Sequence, residues 1–203
     1  MLYNNPRLSS PKFLSLIRDF ITVQISGFKM ASISQFPTVT RLITVNSPAG
    51  ISSFLQDDTP PPVQPTGPKS QLTYLYSSPP SFSIGSDTDL AHHKDKDFRT
   101  FPAAGASCAV VVDVAPNPEG APGMMHKTNT LDYCIVVDGE LELTLYAGEG
   151  QEGEKRVVKR GEVVVQRACM HAWRNLSKTE GARMIAVAIG AEGAIEGGME
   201  FPK

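Results

Sequence analysis

The chain has 203 residues, a formal charge of −2 and a pI near 6.1, with 20% of its residues charged. That balance offers no electrostatic footprint for nucleic acid or an anionic membrane, and no apolar run reaches the roughly 20 residues that a bilayer span needs. Its three cysteines, Cys108, Cys134 and Cys169, are odd in number and widely spaced, which predicts reduced thiols in a cytoplasmic protein and not a disulfide framework.

The length suits one domain with an extension. Residues 1–29 differ from the rest: Arg7, Lys12, Arg18 and Lys29 stand against Asp19 alone. The stretch reads either as a mitochondrial address, poor in acids, or as a disordered extension ahead of a natural start at Met30. Residues 30–106 are expected to supply N-terminal strands and a connector packed on a barrel. Val39 to Val45 is rich in β-branched residues and predicts a strand, and Ile51 to Leu55 a shorter one. Thr59 to Pro68 holds five prolines; with donors removed and φ fixed, it is expected to be an extended connector outside regular sheet. Gln71 to Tyr76 alternates and predicts a strand, and Ser77 to Ser86 a loop. Ser86 to Phe98, with His92-His93 and Lys94 to Asp97, reads as a solvated polar segment.

Residues 107–190 are expected to form the core. Cys108 to Val114 is a buried strand, broken by Ala115 to Gly120. Ile135, Val137, Leu141, Leu143 and Leu145 alternate with Glu140, Glu142 and Thr144. That pattern predicts an antiparallel hairpin turning at Asp138-Gly139. Ala147 to Gly153 is a longer loop. Arg156 to Lys159 and Glu162 to Gln166 are strands around Arg160-Gly161. Ala172 to Arg174 follows, then a turn over Asn175 to Gly181. Arg183 to Ile189 is a final buried strand, and residues 191–203 form a glycine-rich tail. Many short strands with few helical patterns argue an all-β sandwich or barrel.

His126 and Asp132 are too far apart on one straight strand to share a site, at about 3.3 Å per residue. The polar Thr128-Asn129-Thr130 between them permits a reversal that would bring the two together. His171 arrives from a later strand. Two histidines and a carboxylate suit a divalent metal, Fe, Mn, Ni or Zn. The other readings are a core histidine bonded to backbone and an aspartate capping its turn. Cys169 and Trp173 flank His171 at spacings of two. They are candidates for the pocket wall or, equally, small and large core residues. Tyr133 offers a phenol.

His126-x-Thr128-x3-Asp132-x6-Gly139 resembles the first cupin motif, G-x5-H-x-H-x3-4-E-x6-G. Gly161-x4-Gln166-x-Ala168-x2-His171-x3-Asn175 resembles the second, G-x5-P-x-G-x2-H-x3-N. Thr128 stands for the second histidine, Asp132 for the glutamate, and Gln166 and Ala168 for the proline and glycine. The resemblance covers the last half of the chain. It implies a cupin jelly-roll barrel (a double-stranded β-helix). His126, Asp132 and His171 would be its metal or catalytic residues, Thr128, Trp173, Tyr133 and Cys169 its pocket, and the metal would be weakly bound or absent. The chain resembles the small single-domain cupins of fungal polyketide and other secondary-metabolite gene clusters. Three functions stay open: an oxidoreductase on a small-molecule intermediate, a metal-independent dehydratase, isomerase or decarboxylase using histidine acid–base chemistry, and a non-catalytic binder. A homodimer through an edge strand near Val39 to Val45 or Gln71 to Tyr76 is expected.

Overall fold

The computed structural model describes residues 33–56, 58–95 and 101–193. The extension at 1–29, its mitochondrial reading, and most of the tail at 191–203 lie outside the described residues. Eleven strands run through the described chain: β1 (Thr44–Asn46), β2 (Ser52–Phe54), β3 (Val63–Pro65), β4 (Ser70–Ser78), β5 (Ser107–Val114), β6 (Thr130–Asp138), β7 (Glu140–Leu145), β8 (Lys155–Lys159), β9 (Val163–Arg167), β10 (His171–Asn175) and β11 (Ala182–Gly190). One helix, α1 (Thr88–Asp95), follows a 3-10 turn at Ile84–Ser86. The fold is all-β, as expected: a jelly roll made of a six-stranded sheet, β3-β4-β5-β11-β6-β9, against a three-stranded sheet, β10-β7-β8. β1 and β2 form a separate ribbon.

The core lies between the two sheets. β6 alternates, so Cys134 and Val136 point inward with Leu141, Leu143, Val158, Ala182 and Met184. Val164 and Trp173 pack against this cluster from β9 and β10. The inward face is continuous because each contributing strand places every second side chain on it.

The expected hairpin at Asp138-Gly139 is not one. β6 is paired on one side with β11 and on the other with β9, so it has no edge left for β7. β7 pairs instead with β10 and β8 in the opposite sheet. Asp138-Gly139 is therefore a corner at which the chain changes sheets. Gly139 has φ 68° there, and a Cβ would sit 2.9 Å from the Gly181 carbonyl oxygen. The Arg160-Gly161 turn is a second corner, since β8 belongs to the small sheet and β9 to the large one. The loop after β7 does close a true hairpin, β7 with β8.

Four further expectations are corrected. The proline-rich run contributes β3, ending at Pro65; it is tolerated because β3 is an edge strand, where a missing donor costs no ladder bond. β3 also covers Gln71 to Thr73, part of the edge expected at Gln71 to Tyr76. The strand expected over Val39 to Val45 shrinks to Thr44–Asn46, and Arg41 ahead of it reaches β4 with its side chain, donating to the Leu75 carbonyl at 2.7 Å. The polar segment around His92-His93 is helix α1 and is not simply solvated. His93 stacks on Tyr76 at 4.4 Å and accepts a hydrogen bond from Arg41 at 2.9 Å, and Arg41 also pairs with Asp58.

Candidate functional site

The site is assembled from two cross-strand pairs, one from each sheet. In the small sheet, His126 lies beside β10 and exchanges both backbone hydrogen bonds with His171, each at 2.8 Å. Residues so paired face each other directly and project their side chains to the same side. The imidazole rings accordingly meet, with centroids 4.3 Å apart and planes tilted by 55°. The approach of this segment depends on Gly123, where a Cβ would lie 2.2 Å from the Trp173 carbonyl oxygen. Gly120, six residues before His126, turns the preceding loop with φ 67°. In the large sheet, Asp132 on β6 is in register with Gln166 on β9, and the Gln166 amide donates to Asp132 Oδ2 at 3.1 Å.

The bend at Asn129 is the reversal that the sequence permits: His126 lies against β10, whereas Thr130 opens β6 in the other sheet. This crossing places the histidine pair opposite the Asp132–Gln166 pair. Gln166 Nε2 lies 3.1 Å from His171 Nε2 and joins them. Thr128 and Thr130 line the crossing with their hydroxyls 2.7 Å apart.

Proton positions follow from the partners. His171 Nδ1 lies 2.9 Å from the Cys169 carbonyl and His126 Nδ1 lies 3.0 Å from the Met124 carbonyl. A carbonyl only accepts, so each Nδ1 carries the proton and each Nε2 is the acceptor nitrogen. Gln166 must then present its –NH2, because both groups facing it, the Asp132 carboxylate and His171 Nε2, are acceptors. Burial pushes the His171 pKa down to about 4, with the nearby His126 adding to the effect and the Cys169 carbonyl opposing it. Burial raises the Asp132 carboxyl, while Thr130, Gln166 and Thr128 beside it pull the other way. Two buried acceptors, Asp132 Oδ1 and Gln166 Oε1, have no hydrogen-bond partner. Buried polar atoms are almost always paired, and the Thr128 and Thr130 hydroxyls beside Asp132 leave Gln166 Oε1 as the clearer exception.

The residues present do not fit the expected metal. His126 and His171 have the outward nitrogens and main-chain supports that metal-binding histidines use. Yet the Gln166 amide nitrogen stands between Asp132 and His171, within hydrogen-bonding distance of both. Among the described residues, no three His, Cys, Asp or Glu side chains group closely enough to hold an ion.

The expected pocket residues divide. Thr128 lies in the site. Tyr133 does not: it alternates with Asp132 onto the outer face of β6, opposite Val165, and is 40% exposed. Trp173 packs against the core cluster. Cys169 contributes its carbonyl, while burial pushes its thiol pKa up, away from the thiolate. Gln166 is the residue whose role the sequence reading did not see. The signal was its place in Val163-Val164-Val165-Gln166, where period two puts a polar amide on the inward face of Val164.

No family model matches the chain. Among curated proteins, it is 37% identical over 82% of its length to the "Oryzines biosynthesis cluster protein J" of Aspergillus oryzae, covering 90% of that protein. It is 33% identical to the "Phomopsin biosynthesis cluster protein D" of Diaporthe leptostromiformis over 76% of this chain and 80% of that one. It is 31% identical to the "Cupin-domain-containing oxidoreductase virC" of Hypocrea virens over 71% of this chain and 74% of that one. Among solved structures, an oxalate oxidase matches 62% of this chain and 53% of its own at 22% identity and a TM-score of 0.40. At that distance nothing about chemistry carries over. No helix among the described residues is long and apolar enough to cross a membrane. Two matched motifs, a jelly roll that joins them in one site, and relatives above 30% identity over most of the chain lead to one conclusion: the protein belongs to the cupin-domain family of fungal biosynthesis-cluster proteins.

Proposed function

We propose that this protein is an enzyme, a cupin-domain oxidoreductase acting on a small-molecule intermediate of fungal secondary metabolism. Relatives named as cupin-domain oxidoreductases and as biosynthesis-cluster proteins support the reaction class and the setting. The observation that carries a catalytic role is the facing pair His126 and His171, each with Nδ1 held on a main-chain carbonyl. A pinned neutral imidazole is an oriented proton acceptor. His126 is the base in this reading, because burial pushes the His171 pKa down to about 4 and makes that imidazole the poorer proton acceptor at neutral pH. Asp132 and Thr128 orient the substrate through hydrogen bonds. An oxidation also removes two electrons; His126 takes up a proton, and the electrons pass to a soluble co-substrate such as dioxygen, which is reduced to hydrogen peroxide.

One observation favours a second reading, a metal-independent isomerase, dehydratase or decarboxylase. The Gln166 amide occupies the space between two expected ligands. A proton taken from one atom and returned at another needs no electron acceptor.

Product mass separates the two. The intermediate that accumulates in a fungus lacking this gene is incubated with the purified protein, with chelator and with added Fe(II), and followed by mass spectrometry. Loss of hydrogen or gain of oxygen supports the oxidoreductase. An unchanged mass with altered retention, or loss of water or carbon dioxide in chelator, supports the second reading. Saturable binding without conversion would sink both and leave a binding protein.

A further inference from the structure

We infer that Gln166 takes the place of a cation in this site and closes the ligand positions of the fold against metal ions. The amide nitrogen lies 3.1 Å from Asp132 Oδ2 and 3.1 Å from His171 Nε2. Its two N–H groups answer the two lone pairs that would otherwise converge on an ion. The residues concerned are nearly inaccessible, Asp132 at 7%, Gln166 at 4% and His171 at 2%, so no solvent layer separates the amide from its acceptors.

Three arguments support a plug over a ligand. Metal donors must approach to about 2.0–2.2 Å, and an –NH2 group is a donor with no lone pair to offer an ion. Turning the amide so that Oε1 faced inward would set it against a carboxylate and the His171 lone pair, with no proton between them. The backbone holds the amide in place, since Asp132 and Gln166 are cross-strand partners in the six-stranded sheet. An ion could enter only after Gln166 had broken both hydrogen bonds and swung away inside a packed interior.

Removing the amide should therefore open the space between Asp132 Oδ2 and His171 Nε2 to an ion, with water completing its coordination. Gln166→Ala leaves those two atoms facing the vacated space. Gln166→Glu keeps the shape but turns the donor into an acceptor. Two carboxylates then abut, an arrangement stabilised by a shared cation or proton. Binding is read without turnover, so failure of the proposed reaction leaves this inference standing, and the converse also holds.

The test uses the full chain, dialysed against chelator and then titrated with Co(II) alone, with visible absorption and thermal unfolding as readouts. Gln166→Ala and Gln166→Glu are expected to bind Co(II) at least about tenfold more tightly than the wild-type protein, a difference of the size that changes around metal sites produce. Their melting temperatures should rise with Co(II) while that of the wild type does not. Adding His171→Ala to either variant should abolish the gain. Tight Co(II) binding by the wild type with a rise in its melting temperature, both lost in His171→Ala, would overturn the inference and needs no Gln166 variant to fold. Tighter binding by the wild type than by folded variants would make Gln166 a ligand through Oε1, and folded variants that gain nothing would equally defeat the plug.

Discussion

The two ends of β10 carry buried polar side chains of opposite character. At its far end, Asn175 donates to the carbonyls of Val114 at 3.4 Å, Ala115 at 3.1 Å and Glu180 at 2.8 Å, and accepts from the Ser177 amide at 2.9 Å. Asn117 beside it is equally engaged, with Lys69, the Ala121 amide and carbonyl, and the Asn175 carbonyl. At its near end, His171 meets Gln166, which in turn donates to Asp132, and two buried oxygens of that network satisfy no hydrogen-bond geometry. A completed network has nothing left to offer a ligand, and its energy goes into holding the chain. An incomplete one bears the cost of desolvated atoms and keeps them for a ligand. The motif histidine and the motif asparagine thus do different work at the two ends of one short strand.

The comparison breaks most sharply if turnover and stability fail to separate along the strand. At the open end, His126→Ala is expected to lower kcat by roughly 10²–10⁴-fold, the usual contribution of a positioned acid or base. It should change unfolding stability by about 1 kcal/mol or less, which denaturant titration checks. At the closed end, Asn175→Ala should cost about 4 kcal/mol, because it leaves several buried backbone groups unpaired at once. The activity of the molecules that remain folded should be unchanged. A fall in specific activity matching that of His126→Ala would erase the distinction.

Acid sharpens the same contrast. The folded protein refuses a proton on His171 until about pH 4, whereas the unfolded chain takes one near pH 6.5. Stability therefore falls as pH drops through that window, by up to about 3 kcal/mol. Asp132 acts oppositely, since its raised carboxyl pKa makes the folded state bind a proton more readily than the unfolded chain does. Melting temperature against pH should flatten in His171→Gln and steepen on the acid side in Asp132→Asn; an unaltered profile in both would contradict the assignment. The smallest expected effect concerns Ala168, which holds φ 47° just before the open end, where the related motif carries glycine. Ala168→Gly should raise stability by about 0.5–1 kcal/mol, relieving a left-handed conformation that a Cβ disfavours. A loss of stability would mean that the alanine methyl contributes packing that outweighs the strain.

How far the site could be read in advance depended on the kind of interaction. His126, His171 and Asp132 were legible because each falls within a motif of fixed local spacing, and the bend at Asn129 because its residues are polar turn formers. Tyr133 was misplaced although strand alternation alone puts it opposite Asp132. The Asp138-Gly139 corner was hidden. The dipeptide and the flanking alternation are those of a hairpin, and only the occupation of both edges of β6 rules it out. The helix Thr88–Asp95 was hidden as well, for its sequence has no strong apolar stripe, and it is held by His93 on Tyr74 and Tyr76 and by the Tyr76 hydroxyl on Asp89.

By itself, the order of residues determined the strands of the barrel core, the family and the two histidines, because periodicity and motif spacing are local properties that the backbone must obey wherever the segment lies. Tertiary structure alone decided that Gln166 reaches both Asp132 and His171. Asp132 is a register partner on a neighbouring strand and His171 belongs to the opposing sheet, so the contact exists only once the two sheets have closed on each other. That closure alone puts the amide between Asp132 and His171, since the same residues with the amide elsewhere would read identically in the motif.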